Sequence, residues 1–178
     1  MSRISVPAVA SATGATADLF AGIKKSVGTV PNAYAAIGSL NPQALQSVLA
    51  ADAVLAKSTL SKQDQEIIKL QISTVAGCDY CVAAHSLVGK LSGIDQGTLK
   101  SIRQGEATND PKRDALIRFV RTLQDTPGTI SQAEFDAIKA AGYSDVQLVD
   151  ISLTIAIITF TNVFNRINDT VVDFPAVN

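Results

Sequence analysis

Helix start and stop signals recur along almost the whole chain, and they constrain its fold more than any other feature of the sequence. Asn41 precedes Pro42, so the asparagine can cap a helix in which the proline takes the first position. Comparable starts, each followed by apolar residues at helical spacing, occur at residues 30–32, 61–64, 95–99, 109–111, 131–134 and 144–146. Alternating strand patterns and tight hairpin turns do not occur in the sequence. The sequence therefore predicts an all-α fold, with residues 1–178 forming a single-domain helical bundle.

The segment 77–85 contains both cysteines and the only histidine of the chain, in the pattern C-x-x-C-x-x-x-H. Two thiols at this spacing near a helix start can close a reversible disulfide, and the arrangement readily lowers a thiol pKa. His85 follows Cys81 by four residues and Cys78 by seven, so all three side chains can share one helical face. The cluster therefore indicates redox chemistry.

Glu66 is a fourth candidate, and its role depends on a turn at Gly77. If the helix containing Glu66 ends at Gly77 and the cysteine helix returns alongside it, Glu66 and His85 lie at similar depths on facing helices. Glu66 would then orient the imidazole, and His85 would take the proton of the Cys81 thiol directly or through water. The predicted order of the proton relay is Glu66, His85, Cys81.

The residues alone leave open which cysteine attacks a substrate. A helix N-terminus lowers the pKa of the nearer thiol, and this effect favours Cys78. The i to i+4 relation with His85 favours Cys81. Tyr80 and Arg166 are further candidates for shaping the pocket, and Arg166 can equally make a structural ion pair.

Composition argues against several classes of protein. The formal net charge is −1 and no basic run occurs, which argues against nucleic acid or a membrane surface as a partner. The longest apolar run, 153–160, is shorter than the roughly 18 residues that a membrane-spanning helix needs, so we interpret it as part of a buried helix. Two closely spaced cysteines do not make a secreted disulfide framework, so we expect a cytoplasmic protein. The apolar fraction of 47% indicates surface hidden between subunits.

The E-x11-C-x2-C-x3-H spacing over residues 66–85 resembles that of the alkyl hydroperoxidase D-like proteins in the carboxymuconolactone decarboxylase superfamily. The closing segment 162–170, followed by Asp-Phe-Pro at 173–175, also resembles the C-terminal end of these proteins. The resemblance extends from about Asn32 onward. It implies an all-helical fold of the alkyl hydroperoxidase D-like type, with the cysteine pair at the start of a helix, and assembly into a homotrimer or homohexamer.

The resemblance also implies a peroxidase cycle with an antioxidant role. Carried over from the family, Cys81 is the peroxidatic residue that becomes a sulfenic acid, and Cys78 resolves it as a disulfide. Glu66 and His85 form the proton relay. The implied reductant is a dithiol such as dihydrolipoamide or a redox protein such as a peroxiredoxin, and no bound cofactor or metal is implied. Because the histidine and the resemblance agree, we expect Cys81 to attack and to titrate below the ordinary thiol pKa of about 8.5.

One position departs from the family's pattern. The best-studied branch has a second histidine just before its second cysteine, where this chain has Tyr80. Part of that branch's proton relay is therefore missing or replaced in this chain. A tyrosine at this position is more similar to the peroxidase-related branch of the family.

Two other functions are open on the residues. Cys78, Cys81, His85 and Glu66 could offer four zinc ligands, but structural zinc sites usually draw a second ligand pair from a distant segment, and no other cysteine or histidine exists to supply it. A lactone decarboxylase, as the superfamily's name suggests, would work without the cysteine pair. The sequence favours a thiol-dependent peroxidase or disulfide reductase that reduces organic hydroperoxides.

Overall fold

The computed structural model describes residues 1–177, which contain nine α-helices, one 3₁₀ turn at Val9–Ser11 and no β-strand. The predicted all-α fold is confirmed. The helices are α1 (Gly14–Val27), α2 (Asn32–Leu40), α3 (Pro42–Leu55), α4 (Lys62–Ala76), α5 (Asp79–Leu91), α6 (Gln96–Gln104), α7 (Pro111–Asp125), α8 (Gln132–Ala140) and α9 (Asp145–Asn168).

Side-chain caps fix the starts of most helices where the sequence predicts them. The side chain of Asn41 accepts the backbone N–H of Ala44 at 3.0 Å, and Pro42 occupies the first helical position. Equivalent caps come from Ser61, Asp95, Asp110, Ser131 and Ser144. The reciprocal capping box is found at Ser144 and Gln147, because the Gln147 side chain also accepts the Ser144 N–H.

Helix α1 is not predicted by the sequence signals, because its start has no side-chain cap. It is held instead by apolar packing: Phe20 and Ile23 are buried in a cluster with Ile37 of α2 and Leu45 of α3. Tertiary contacts therefore stabilise this helix where local signals are weak.

Helix α4 lies at the centre of the fold. Residues 65–73 are all buried, so the helix is covered on every side over more than two turns. It packs against α5, α6, α7 and α9. A glutamate and a lysine, Glu66 and Lys69, lie within this covered stretch and need partners for their charges.

The α4–α5 connection is a tight helical hairpin. Gly77 ends α4 in the left-handed conformation, with φ 64° and ψ 37°, and its N–H bonds back to α4 carbonyls. Helix α5 begins two residues later at Asp79, with Cys78 at the N-cap. The turn predicted at Gly77 is therefore present, and it sets α5 beside α4.

Helix α9 has one buried and one exposed face. Ile151, Thr154 and Ile158 are buried, whereas Phe160 is 41% exposed, so the prediction that 153–160 belongs to a buried helix holds for one face only. By length and composition alone, α9 is long and apolar enough to cross a membrane. Core helices of soluble proteins share this property.

Gly38 gives a direct test of the packing between α1, α2 and α3. A Cβ at this position would lie 2.7 Å from atoms of Leu45 and of Phe20, both of which are buried. We expect Gly38→Ala to lower the free energy of unfolding by about 1–2 kcal/mol, because overpacking outweighs the gain in helix propensity. Urea unfolding measures this change.

Gly22→Ala is the matched control, because nothing lies within 4 Å of the Cβ it would add to α1. This variant should be neutral or more stable by up to about 1 kcal/mol, as expected for alanine in a helix. A Gly38→Ala variant as stable as Gly22→Ala would contradict the close packing of these three helices.

Candidate active site

The α4–α5 hairpin brings Glu66 and His85 into contact. The Nδ1 atom of His85 lies 2.8 Å from Oε2 of Glu66, as the predicted turn at Gly77 requires. The Glu66 side chain is 1% exposed and the His85 side chain is 18% exposed. A buried carboxylate therefore holds a partly accessible imidazole in one orientation.

Positive charges keep Glu66 ionised in spite of its burial. Burial raises the pKa of this carboxyl, but His85, Lys69 and Lys62 together outweigh burial and lower the pKa to about 2. The Nζ atom of Lys62 lies 2.9 Å from Oε1, and that of Lys69 lies 3.9 Å from the same oxygen. Lys69 is shared with Asp52, whose Oδ1 is 3.1 Å away.

The ionised carboxylate fixes the tautomer of the histidine. Because a carboxylate can only accept hydrogen bonds, Nδ1 of His85 must donate to Glu66. In the neutral ring Nε2 is then the acceptor, free to take a proton. This is the tautomer that the predicted base role needs.

Cys78 and Cys81 are adjacent free thiols. Their sulfurs lie 2.6 Å apart, within hydrogen-bonding distance, and both residues are only 2% exposed. The cysteine pair is at the start of α5, as predicted: Cys78 is the N-cap, and its sulfur accepts the backbone N–H of Cys81 at 3.4 Å. The pair needs little movement to close a disulfide.

The two thiols do not titrate in the predicted order. Hydrogen bonds from the Cys81 side chain and backbone N–H lower the pKa of Cys78, although burial opposes them. The hydrogen bond with Cys78, together with burial, raises the pKa of Cys81. The expectation that Cys81 has the lowered pKa is therefore wrong for the reduced pair, because the hydrogen bond between the two thiols lowers the pKa of Cys78 and raises that of Cys81.

Two polar residues of α9 surround Cys81, and sequence reasoning did not assign them. The Nδ2 atom of Asn165 donates to the Cys81 sulfur at 3.3 Å, and the Thr161 hydroxyl also acts to lower the pKa of Cys81. Both contacts favour a negative charge on Cys81. Thr161 and Asn165 are one turn apart on the buried face of α9. The buried face of this part of α9 also contains Asn162 and Asn168, and a cluster of polar residues at helical spacing within a buried helix is the signal that could have identified them.

His85 makes no hydrogen bond with either sulfur within the part of the chain that the structure describes. The proposed proton transfer from Cys81 to His85 therefore needs an intervening water or substrate, which the prediction allowed. The Cys78 sulfur, at 2.6 Å, is the nearer proton acceptor for Cys81.

Tyr80 contacts α2 and the C-terminal segment, and it makes no contact with the relay residues among the hydrogen bonds of the described chain. Its hydroxyl accepts the backbone N–H of Ala33 at 3.1 Å, and its ring packs edge-on against Phe174, with centroids 5.3 Å apart. Burial and the neighbouring Asp173 carboxylate raise the pKa of Tyr80 far above the ordinary value. The residue at the position of the second family histidine therefore stays neutral and anchors the C-terminal segment over α5.

A cavity of about 990 Å³ opens beside the Glu66–His85 pair. Its polar end is formed by these two residues with Lys69 and Tyr34, and helices α1 and α3 supply apolar walls. The side chains of Cys78 and Cys81 do not reach its wall. A substrate much larger than hydrogen peroxide can therefore approach His85, while the thiols stay covered.

The geometry gives the zinc alternative no support. Within residues 1–177, no group of three or more His, Cys, Asp or Glu side chains is arranged to hold a metal ion. Glu66 directs its oxygens at His85 and at two lysines, so it does not face the cysteine pair as a fourth ligand would.

Comparison with protein families gives one match. Residues 42–121, which include Glu66, both cysteines and His85, match the carboxymuconolactone decarboxylase family. The chain matches none of the curated proteins compared with it.

Solved structures share the fold over nearly the whole chain. A peroxidase-related protein from Ralstonia eutropha JMP134 with an alkylhydroperoxidase AhpD core has a TM-score of 0.86 at 22% identity, covering 97% of this chain and 92% of that chain. A peroxidase-related protein from Silicibacter sp. TM1040 has a TM-score of 0.82 at 23% identity, covering 96% and 91%. The debrominase Bmp8, as a cysteine-to-alanine variant in complex with 2,3,4-tribromopyrrole, has a TM-score of 0.77 at 19% identity, covering 97% and 94%. The predicted fold type is confirmed.

The order of thiol titration can be measured with single-cysteine variants. In Cys81→Ser we expect the Cys78 thiolate to form below the ordinary pKa of about 8.5, because the α5 N-terminus still stabilises it. In Cys78→Ser we expect Cys81 to titrate at a higher pH than Cys78 does, because burial opposes its charge. Thiolate absorbance against pH reports both values. If Cys81 titrates first, the N-cap does not set the order.

The Glu66 carboxylate should make stability depend on pH. Its pKa is about 2 in the folded chain against an ordinary value of 4.5, so its contribution is full above 4.5 and is lost as the pH falls toward 2. We expect Glu66→Gln to cost roughly 3 kcal/mol of unfolding free energy at pH 7 and about half of that or less at pH 3. Urea unfolding at both values measures the difference.

Glu106→Gln is the control for this experiment, because Glu106 is an exposed glutamate in the loop after α6. It should change stability by no more than about 0.5 kcal/mol at either pH. A Glu66→Gln penalty that stays constant between pH 7 and pH 3 would show that the carboxylate is not held ionised by its neighbours.

Proposed function

We propose that the chain is a thiol-dependent peroxidase of organic hydroperoxides, because residues 42–121 match the carboxymuconolactone decarboxylase family and the chain has the alkyl hydroperoxidase D-like fold. The superfamily contains enzymes, and the names of its structural neighbours include peroxidase-related proteins. The observation that carries the proposal is the pair of adjacent free thiols beside a histidine held by an ionised glutamate.

When the reduced pair loses one proton, the two sulfurs can share the negative charge. Cys78 loses its proton first, and the remaining proton can move across the 2.6 Å between the sulfurs. When the charge is on Cys81, Asn165 and Thr161 stabilise it. Cys81 can therefore act as the nucleophile although Cys78 has the lower pKa in the resting pair.

In the first step the Cys81 thiolate attacks the peroxide oxygen and the O–O bond breaks. One oxygen remains on Cys81 as a sulfenic acid, and the leaving alkoxide takes a proton to become an alcohol. The Cys78 thiol donates this proton, or His85 does so after it has taken the thiol proton, and Glu66 stabilises the charged imidazole in between. The peroxide is reduced by two electrons and Cys81 is oxidised by two.

In the second step the Cys78 thiolate attacks the Cys81 sulfur and a disulfide forms. Hydroxide leaves and takes a proton to become water, so one hydroperoxide and two thiols give an alcohol, water and a disulfide. An external dithiol then reduces the disulfide. Dihydrolipoamide or a redox protein such as a peroxiredoxin is the proposed class of reductant, and the cytoplasm is the proposed compartment.

A second candidate is the reduction of an organic halide, because one structural neighbour is a debrominase solved with a tribromopyrrole. Two thiols could supply the same two electrons, converting a carbon–bromine bond to carbon–hydrogen with release of bromide. The cavity of about 990 Å³ beside His85 admits ring-sized molecules of either class. The cysteine pair argues against a lactone decarboxylase, which would work without it.

The proposed roles make the two cysteine variants behave differently. With one equivalent of an organic hydroperoxide, Cys78→Ser should accumulate a sulfenic acid on Cys81 that a dimedone probe traps, because no resolving thiol remains. Cys81→Ser should give little adduct. Wild type should lose both free thiols and recover them with a dithiol. Peptide mass spectrometry identifies the modified residue.

His85→Ala tests the relay while both cysteines stay in place. It should slow thiol oxidation by about a hundredfold while leaving both thiols present and titratable. An adduct on Cys78 would reverse the two roles. Wild-type thiols that resist hydroperoxide but are oxidised by a bromopyrrole would replace the peroxidase with a dehalogenase, and thiols inert to both would exclude the thiol mechanism.

A further inference from the structure

Helix α9 carries an apolar stripe on its exposed face, and its own chain covers this stripe only in part, at Leu153. Seven residues follow one another at spacings of three and four, the repeat of a two-stranded coiled coil. They are Val146, Val149, Leu153, Ala156, Phe160, Val163 and Ile167. The stripe extends for roughly 31 Å along the helix.

The exposed fractions show that this stripe faces away from the core. Val146 is 62% exposed, Val149 68%, Val163 48% and Ile167 59%. A surface helix normally directs its apolar residues inward, but here a second apolar row points outward. An exposed apolar row of this length indicates a binding partner.

We propose that α9 pairs with α9 of a second copy of this chain, in antiparallel orientation about a two-fold axis. The register that aligns the two stripes sets Val149 against the partner's Phe160 and Val146 against the partner's Val163. The small side chain of Ala156 meets the partner's Leu153 near the axis. Each contact occurs twice because the two copies are related by symmetry.

The charges beside the stripe select this register. When the stripes are aligned in this way, Asp145 at one end of the helix lies next to Arg166 at the other end of the partner's helix. The Asp145 carboxylate is 85% exposed, although it also contacts Lys139, and Arg166 makes no ion pair within the described chain. Two opposite-charge pairs would therefore flank the apolar contact, as they do in coiled coils.

A protein partner fits this face better than a lipid surface does. The apolar row is narrow, and the polar residues Ser152, Thr159 and Arg166 follow its edge. A narrow row with a 3–4 repeat is typical of a helix–helix contact. A helix that lies on a lipid surface has a polar face rich in lysine and arginine beside its apolar face, whereas α9 has Arg166 as its single basic residue. Ser152 and Thr159 lie next to each other across the axis in the same register that pairs the charges.

Two-fold pairing also distinguishes between the expected assemblies. A dimer contains a two-fold axis, and so does a hexamer built from two stacked trimers, but a simple trimer does not. The contact through α9 is therefore compatible with the expected homohexamer and not with a homotrimer alone.

Light scattering after size exclusion provides the first test, with substitutions on and off the stripe. Wild type should elute as a dimer or a hexamer at micromolar concentration. Val149→Glu should raise the dissociation constant of the α9 contact by at least about a hundredfold, because the charge is introduced twice into the apolar contact. Val27→Glu is the matched control, since Val27 of α1 is 61% exposed and lies outside the stripe. It should assemble like wild type.

Cysteine cross-linking tests the orientation and the register. Mixing Val149→Cys with Phe160→Cys under mild oxidation should give a covalent dimer on a non-reducing gel, whereas Val149→Cys alone should not. In a parallel pair Val149 would face itself, so strong cross-linking of the single variant would overturn the antiparallel arrangement. Arg166→Asp should weaken assembly, and Asp145→Arg in the same chain should restore it if the ends meet as proposed.

Other outcomes would overturn the pairing itself. These are a wild-type monomer at micromolar concentration, or an oligomer that Val149→Glu leaves unchanged. A wild-type chain that floats with anionic phosphatidylserine vesicles, and loses that association in Val149→Glu, would make a membrane the occupant of the stripe. The circular dichroism spectrum of each variant shows whether the chain is folded, so loss of assembly can be separated from loss of structure.

Discussion

The ionised Glu66 in the covered centre of α4 is the constraint on which the site depends. A carboxylate that is 1% exposed is costly unless opposite charges and hydrogen bonds compensate for its lost hydration. Here Lys62 and Lys69 come from α4 itself and His85 comes from the facing helix. Satisfying one charge therefore fixes the rotation of α5 against α4 and aims the imidazole. The same ion pair that compensates for the buried charge of Glu66 also sets the tautomer of the candidate base, His85.

Much of this arrangement follows from local sequence. Caps such as Asn41 and Ser144 determine where helices begin, and these depend on hydrogen bonds within a few residues. The contact between Glu66 and His85 could be predicted because one glycine turn connects the two helices, so residue counts alone set their depth. Features that depend on residues close together in the chain, such as caps and tight turns, can therefore be predicted from the sequence.

The remainder depends on contacts between distant segments. Helix α1 forms because Phe20 is buried against α2 and α3, and no local sequence signal predicts this contact. Asn165 reaches Cys81 across 84 positions of the chain, so its role appears only once α9 is packed against α5. The order of the thiol pKa values was also mispredicted, because the choice between the N-cap and the histidine depends on distances that sequence spacing does not give. The histidine is held by Glu66 instead of contacting the sulfur.

The burial of the two sulfurs has a consequence for how the protein would operate inside a cell. At 2% exposure neither cysteine is open to collision with bulk thiols or with a folded protein. An oxidised pair would react slowly with surrounding thiols. Its lifetime would depend on how often the covering segments open, or on how narrow the reducing group is. Selectivity for the reductant would then depend on its access to the sulfurs and on how often the site opens, more than on its redox potential. If the pair cycles as proposed, the covering of the thiols, as much as their chemistry, would decide which electron donor can reduce it.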